Sequence, residues 1–287
     1  MIVDHIVTEE SFLGTYKDGL KNRQDYFLAR SMRKEGMNYD SIARMLGRED
    51  STVYYWTQGK KEPWCIRGIA EAHALDIIPL TRKSETLRPM IKLCSFVFWT
   101  GSVSSDYAVG VAAKPEKLKN IAGYFRKKLG LKGRFSKKPT SAVCFGEQSH
   151  LYGRVLACMG APIGEKVSQE LHIPQAILRS PECYHDFVRI LFASRSYHHR
   201  GMMQITLMAN HNRELARDFG NETLDFLANT LPRVKFSSKR LEVLHAKSDD
   251  RRKYEHHVPR VSLTTEMTNA LNTHYPQIAQ AREQVEV

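Results

Sequence analysis

One succession of patterns occurs twice in this chain, and that repetition limits the fold more than any single segment does. The first copy opens with the apolar stretch Ile91–Trp99, turns at Gly101 and Ser102, and continues into the β-patterned Tyr107–Ala113. A long amphipathic helix over Pro115–Leu129 follows, then strand-like segments at Gly133–Phe135 and Ala142–Phe145. The second copy runs through Tyr184–Ala193, a turn over Ser194–Gly201, a strand at Met202–Met208 and a helix over Arg213–Leu231, ending in strands near Val234–Phe236 and Leu241–Leu244. A helix covers one face of a short sheet, and one such unit leaves apolar surface open. An αββα unit used twice therefore predicts an α+β saddle built from two pseudo-symmetric halves.

The N-terminal region reads differently. Asn22–Glu35 carries apolar and basic residues at helical spacing and stops at Gly36. Tyr39, Ile42, Ala43, Met45 and Leu46 form a short amphipathic helix ended by Gly47, and Ser51–Gln58 a third, with Asp50 or Ser51 as N-cap and Gly59 as its stop. Small Ala43 permits close approach, and Val53 and Trp56, three apart, face inward. Ser51, Thr52, Tyr54, Tyr55 and Gln58 are left outward, as hydroxyls and an amide suited to major-groove reading. The spacing predicts a helix-turn-helix. A short helix is expected around Ile66–Leu75. Pro63, Pro79 and Pro89 then break the pattern, with a linker over 81–88. The resulting plan is a helix-turn-helix domain over 1–80, a second domain over 89–257 (repeats 89–160 and 181–257), and a tail over 258–287.

Charge bounds the partners. The 287 residues hold 43 Lys and Arg against 31 Asp and Glu, a formal net charge of +12, which makes a polyanion the first partner to consider. Ten basic residues between Lys114 and Lys138 face one acid, Glu116. No apolar run reaches the ~18 residues of a membrane span. Asp4, Glu9 and Glu10 do not fit a secretory leader. The five cysteines (Cys65, Cys94, Cys144, Cys158, Cys183) contain no C-x-x-C pair and read as reduced thiols of a cytoplasmic, nucleoid-associated protein. The pairs His198–His199 and His256–His257 alternate in direction and are poor chelators. No cofactor and no metal is expected.

The run Leu93-Cys-Ser-Phe-Val-Phe-Trp-Thr-Gly-Ser-Val-Ser-Ser-Asp-Tyr-Ala-Val-Gly-Val resembles the opening of a LAGLIDADG homing-endonuclease domain. Lys117–Gly130 matches its long helix, His172-Ile-Pro its linker, and Phe187-Val-Arg-Ile-Leu-Phe-Ala-Ser-Arg-Ser its second motif helix. Combined with a helix-turn-helix, the whole resembles WhiA-type regulators with the domain order reversed. In that family each motif helix ends in a carboxylate that holds divalent metal over the scissile phosphate. Here the resemblance aligns Thr100 and Arg195 with those positions, and neither replaces a carboxylate, so no catalytic residue is assigned. Asp106 enters only under a different register.

The resemblance implies interface packing for Cys94, Ser95 and Phe98 against Ile190, Leu191 and Ala193. It implies a regulator that binds double-stranded DNA without cutting; the two halves of one saddle leave monomeric binding open beside the two-fold pairing common among helix-turn-helix proteins. Expected contacts are Ser51, Thr52, Tyr54, Tyr55, Gln58, Lys60 and Lys61 in the first domain. Those in the second are Arg134, Lys137, Lys138, Arg195, Arg200, Lys235, Lys239 and Arg240. An active endonuclease and an RNA-binding intron maturase are the alternatives, the latter disfavoured because A-form RNA hides its major groove.

Overall fold

The computed structural model describes residues 5–137, 143–147, 150–199, 202–247 and 255–282. Helices and antiparallel sheets fall into two compact units, Met1–Ser84 and Glu85–Val287.

In the first unit, β1 (His5–Val7) pairs with β2 (Leu80–Thr81), closing the start of the unit on its end. Between them lie α1 (Glu9–Leu13), α2 (Gly19–Lys34), α3 (Tyr39–Leu46), α4 (Asp50–Thr57) and α5 (Trp64–Ala74). Asn38 caps α3 by accepting from the Ser41 amide at 2.8 Å. Gly47 ends that helix at φ 61°, left-handed backbone that a Cβ would strain, and so sets the three-residue turn into α4. The cap of α4 is Glu49 rather than Asp50 or Ser51: the amides of Thr52 and Val53 already bond the Glu49 carbonyl, so both expected caps sit inside the first turn.

Tyr26, Ala29, Ile42, Ala43, Val53 and Trp56 form one core between α2, α3 and α4. Arg48, in the α3–α4 turn, locks it: Nε donates to Asp25 at 2.9 Å and Nη2 to Asn22 at 2.8 Å, with the guanidinium 5.8 Å from the Trp56 ring. Asp25 is almost buried, so this pair is a fixed strut between the turn and α2.

The second unit contains the succession helix, strand, strand, helix, strand, strand, helix twice. The first pass is α6 (Leu87–Trp99), β3 (Ser102–Val103), β4 (Val109–Ala113), α7 (Pro115–Leu129), β5 (Arg134–Lys137), β6 (Val143–Glu147) and α8 (Leu151–Cys158). After α9 (Gln175–Leu178), the second is α10 (Tyr184–Arg195), β7 (Ser196–His199), β8 (Met202–Thr206), α11 (Arg213–Thr230), β9 (Leu241–Lys247), β10 (Glu255–Ser262) and α12 (Thr265–His274), with α13 (Pro276–Ala279) beyond it. The strand orders are β3-β4-β6-β5 and β7-β8-β10-β9, the same order in both sheets.

Several sequence expectations are corrected. Residues 196–199 are strand, not turn, because they pair in register with β8. Val234–Phe236 has no regular structure, and the strand expected there is replaced by β10, which lies between β8 and β9. Residues 258–262, assigned to the tail, are thus the end of a central strand. Ile278 and Ala281 are buried, and α13 packs on α10, so the chain through Ala281 belongs to the fold. The last helix expected at Asp249–Tyr254 lies outside the described residues.

The helices α6 and α10 pack side by side and parallel. Near their starts Arg88 Nε donates to Asp186 at 2.6 Å; near their ends Arg195 reaches the Trp99 carbonyl. Phe98, Trp99, Phe187 and Phe219 interlock beside the seam, with Phe98–Trp99 centroids 4.8 Å and Trp99–Phe187 centroids 5.1 Å apart. Burying each such ring contributes about 2–3 kcal/mol, which makes this pair of helices the anchor of the unit.

Candidate nucleic-acid interface

Each sheet has one face packed under a helix, α7 in the first and α11 in the second. In the second sheet Ile205, Val261 and Leu241 form a cross-strand row, the first two fully buried. A Cβ on Gly220 of α11 would meet Leu241 and Pro259, so α11 covers this face. Successive side chains alternate, so the opposite face carries Tyr197, Gln204, Thr206, Arg260 and Ser262. There Gln204 is 94% buried, as its 6% exposure states, and donates to Ser262 Oγ at 3.3 Å. Its Oε1, Arg260 Nε and His256 Nδ1 have no hydrogen-bond partner. Buried polar atoms without partners cost about 1–3 kcal/mol each.

In the first sheet the buried Val109 and Val111 and the ring of Phe135, over which Arg126 of α7 stands at 5.3 Å, mark the helix-covered face. The alternate row joins Ser102, Gly110, Gly146 and Arg134 across all four strands. Two glycines in its centre leave the backbone bare between exposed Ser102 and Arg134, so a bulky partner can approach closely.

At the ends of α6 and α10 the structure gathers cations. Parallel packing brings two helix C-termini together, and each carries roughly half a negative charge. Lys166, from the connection between the two repeats, donates Nζ to the carbonyls of Val97, Phe98 and Gly101, the last two at 2.8 and 2.7 Å. Arg195 donates Nε to the Trp99 carbonyl at 2.8 Å and Nη2 to the same oxygen. Burial, then the neighbouring Arg195 charge, lowers the Lys166 pKa to about 7. Burial also lowers Arg195, which stays charged. Thr100 Oγ1 donates back to the Phe96 carbonyl at 3.0 Å and closes the helix. Two basic side chains thus satisfy the carbonyls at the end of α6. Asp106 stands in the β3–β4 turn, bonded by Ser104 Oγ and fully exposed, and is not part of this cluster. Among the described residues no group of three His, Cys, Asp or Glu is placed to hold a metal.

The other residues singled out from sequence separate into three groups. Ser51, Tyr54, Tyr55, Gln58, Lys60 and Lys61 are exposed on and just after α4, while Thr52 is half-buried. Tyr54 lies between Tyr39 and Tyr55, with Lys60 over its ring at 5.4 Å, and Gln58 Nε2 donates to Tyr39 Oη at 2.8 Å. A groove of about 470 Å³ at this end is lined by Tyr39, Asp40, Asp50, Ser51, Tyr54 and Tyr55, so carboxylates accompany the hydroxyls. Arg134, Lys235, Lys239 and Arg240 are exposed, and Lys137 ends β5 opposite Val143. Lys138 and Arg200 lie outside the described residues.

Arg195, half-buried, turns Nε and Nη2 inward to the Trp99 carbonyl. Sequence reasoning missed Lys166, whose partners are 65 to 69 residues away, and missed Gln204 and Arg260; the alternation of Met202–Thr206 was the available signal for Gln204, whereas Arg260 lies on a strand whose pattern gave none.

No protein-family profile and no curated protein sequence matches the chain. Among solved structures it is similar to the homing endonuclease I-DmoI. The likeness to I-DmoI in complex with DNA and Ca covers 70% of this chain and 100% of that one, at 13% identity and a TM-score of 0.37. Mesophilic variants of I-DmoI give 66% and 96% coverage, 12% identity and a TM-score of 0.35.

Proposed function

We propose that the protein is a sequence-specific binder of duplex DNA that does not cut it, acting as a transcription regulator. In this reading residues 1–84 are a helix-turn-helix and residues 85–287 a degenerate, pseudo-symmetric saddle of the LAGLIDADG kind. The observation that carries it is the filled helix seam: Thr100 and Arg195 stand where the resemblance asks for carboxylates, and the basic Lys166 shares the seam with Arg195. The Arg195 guanidinium repels Mg²⁺ and neither basic side chain offers it an oxygen ligand, so no water is activated there.

The first sheet supplies what reading requires. Arg134 suits guanine, and the bare glycine row beside it admits a groove edge. In the first unit, Ser51, Thr52, Tyr54 and Tyr55 present hydroxyls for base edges, with Lys60 and Lys61 beside them for phosphates. Charge divides unevenly: residues 1–84 hold 13 Lys and Arg against 12 Asp and Glu, leaving 30 against 19 for residues 85–287. The electrostatic affinity, and with it the salt dependence, accordingly resides in the second unit. One chain contains both halves of the saddle and engages DNA as a monomer.

The test is a selection of bound fragments from random duplex DNA with the full chain, followed by incubation of the recovered pool with Mg²⁺ or Mn²⁺. An enriched motif recovered intact is the expected result. Metal-dependent cut products would overturn the non-cleaving reading, and a pool without enrichment would overturn sequence specificity.

A further inference from the structure

Between α11 and β9 the chain makes the turns that hold Arg233, Lys235, Lys239 and Arg240, and α12 begins opposite them at its N-cap Thr264. Together they wall a groove of about 490 Å³ whose single acidic lining residue is Glu266. Met267 and Ala270 give it a small apolar floor. Among the described residues none of the four basic side chains has an ion-pair or hydrogen-bond partner, whereas elsewhere in the unit Arg88, Lys166 and Arg195 are all engaged.

Four unpaired cations around one concavity repel one another, and low-dielectric walls focus their field into the space between them. An opposite charge in the groove relieves that repulsion. Guanidinium groups recognise phosphoryl oxygens in bidentate fashion, and lysines add point charge. The volume falls in the range of small-molecule sites. The four cations stand around one recess of small-molecule size, which suits a short chain of adjacent phosphates.

We propose that this groove is a binding site for adjacent phosphoryl groups, the chemistry of a free nucleoside polyphosphate or oligophosphate, distinct from the sheet faces. It does not rest on the reading of the first sheet as DNA-binding, and a stretch of DNA backbone is the other source of the same oxyanions.

Calorimetric titration of the full chain with inorganic tripolyphosphate tests it, alongside anisotropy with a duplex. The variants are Lys239→Glu/Arg240→Glu, Lys235→Gln, and a control, Lys127→Glu/Lys128→Glu, with the same charge change on α7. Binding of one equivalent is expected, weakened about ten-fold or more by the groove variants and less than about two-fold by the control. If the source is a free ligand, Lys239→Glu/Arg240→Glu lowers duplex affinity no more than the equally charged control Lys127→Glu/Lys128→Glu does, and tripolyphosphate does not compete with duplex. If it is DNA, tripolyphosphate competes with duplex and the salt slope falls by about 2 in Lys239→Glu/Arg240→Glu. Absence of binding, many weak equivalents, or an equal loss in the control would overturn the site. The DNA reading stands or falls separately, on the fragment selection.

Discussion

Raising the pH from 7 to 9.5 should stabilise the second unit through Lys166. Its pKa falls from 10.5 to about 7 on folding, because burial and Arg195 disfavour the ammonium at the helix seam. The folded pKa is depressed, so the unfolded chain binds more protons throughout the window between the two values, and stability rises with pH there. The contribution is complete above the unfolded value and is lost as pH falls to about 7. At about 1.36 kcal/mol per pH unit, the window from 7 to 9.5 gives a gain of about 3 kcal/mol.

The comparator is Lys166→Met, which keeps the stem and removes the titration. Cys94, the nearest thiol, is pushed up to about 12 by burial and does not ionise in this range. Urea unfolding is followed by the fluorescence of Trp99, with Trp56 and Trp64 replaced by Phe. The parent minus Lys166→Met difference should climb with pH at close to that slope. A flat or falling difference would refute the picture of a desolvated ammonium at the seam.

Two further substitutions test the packing of each unit. Trp56→Ala removes the ring that meets Tyr26 at 5.9 Å and underlies Arg48, and should destabilise residues 1–84 by about 3–5 kcal/mol. Scanning calorimetry should show that unit melting early while the transition of residues 85–287 stays in place; a common shift of both would contradict independent cores. Gly101→Ala places a Cβ 2.0 Å from the Gly110 carbonyl, where only backbone movement makes room. A loss of about 3 kcal/mol is expected, with faster hydrogen exchange across β3 and β4, and an unchanged exchange pattern would show that the approach is not tight.

Where local chemistry decides structure, the sequence is legible. The helix α7 runs from Pro115 to Leu129, with Pro inside its first turn and Gly130 past its end, because those two residues punctuate helices whatever surrounds them. The same is true of α3 between its Asn38 cap and Gly47, and of the inward pair Val53 and Trp56. Strand β10 is illegible for the complementary reason: Pro259 and the charged ends mask its alternation, and only pairing with β8 and β9 makes it a strand. Strand β7, of four polar and aromatic residues, likewise exists through its partner.

The candidate site divides along the same line. Sequence alone sets the basic surplus, the exposed tyrosines and hydroxyls of α4, the repeated order of elements, and Thr100 and Arg195 where the resemblance asks for acids. Those follow from residue identity and from spacing within one element. Tertiary structure alone decides that Arg195 turns inward, that Lys166 crosses more than sixty residues to share the seam with it, and that Gln204 and Arg260 lie on the sheet face opposite α11, with Gln204 buried. These depend on the parallel packing of α6 and α10, which places two negative helix ends together and draws whatever cations the fold brings within reach.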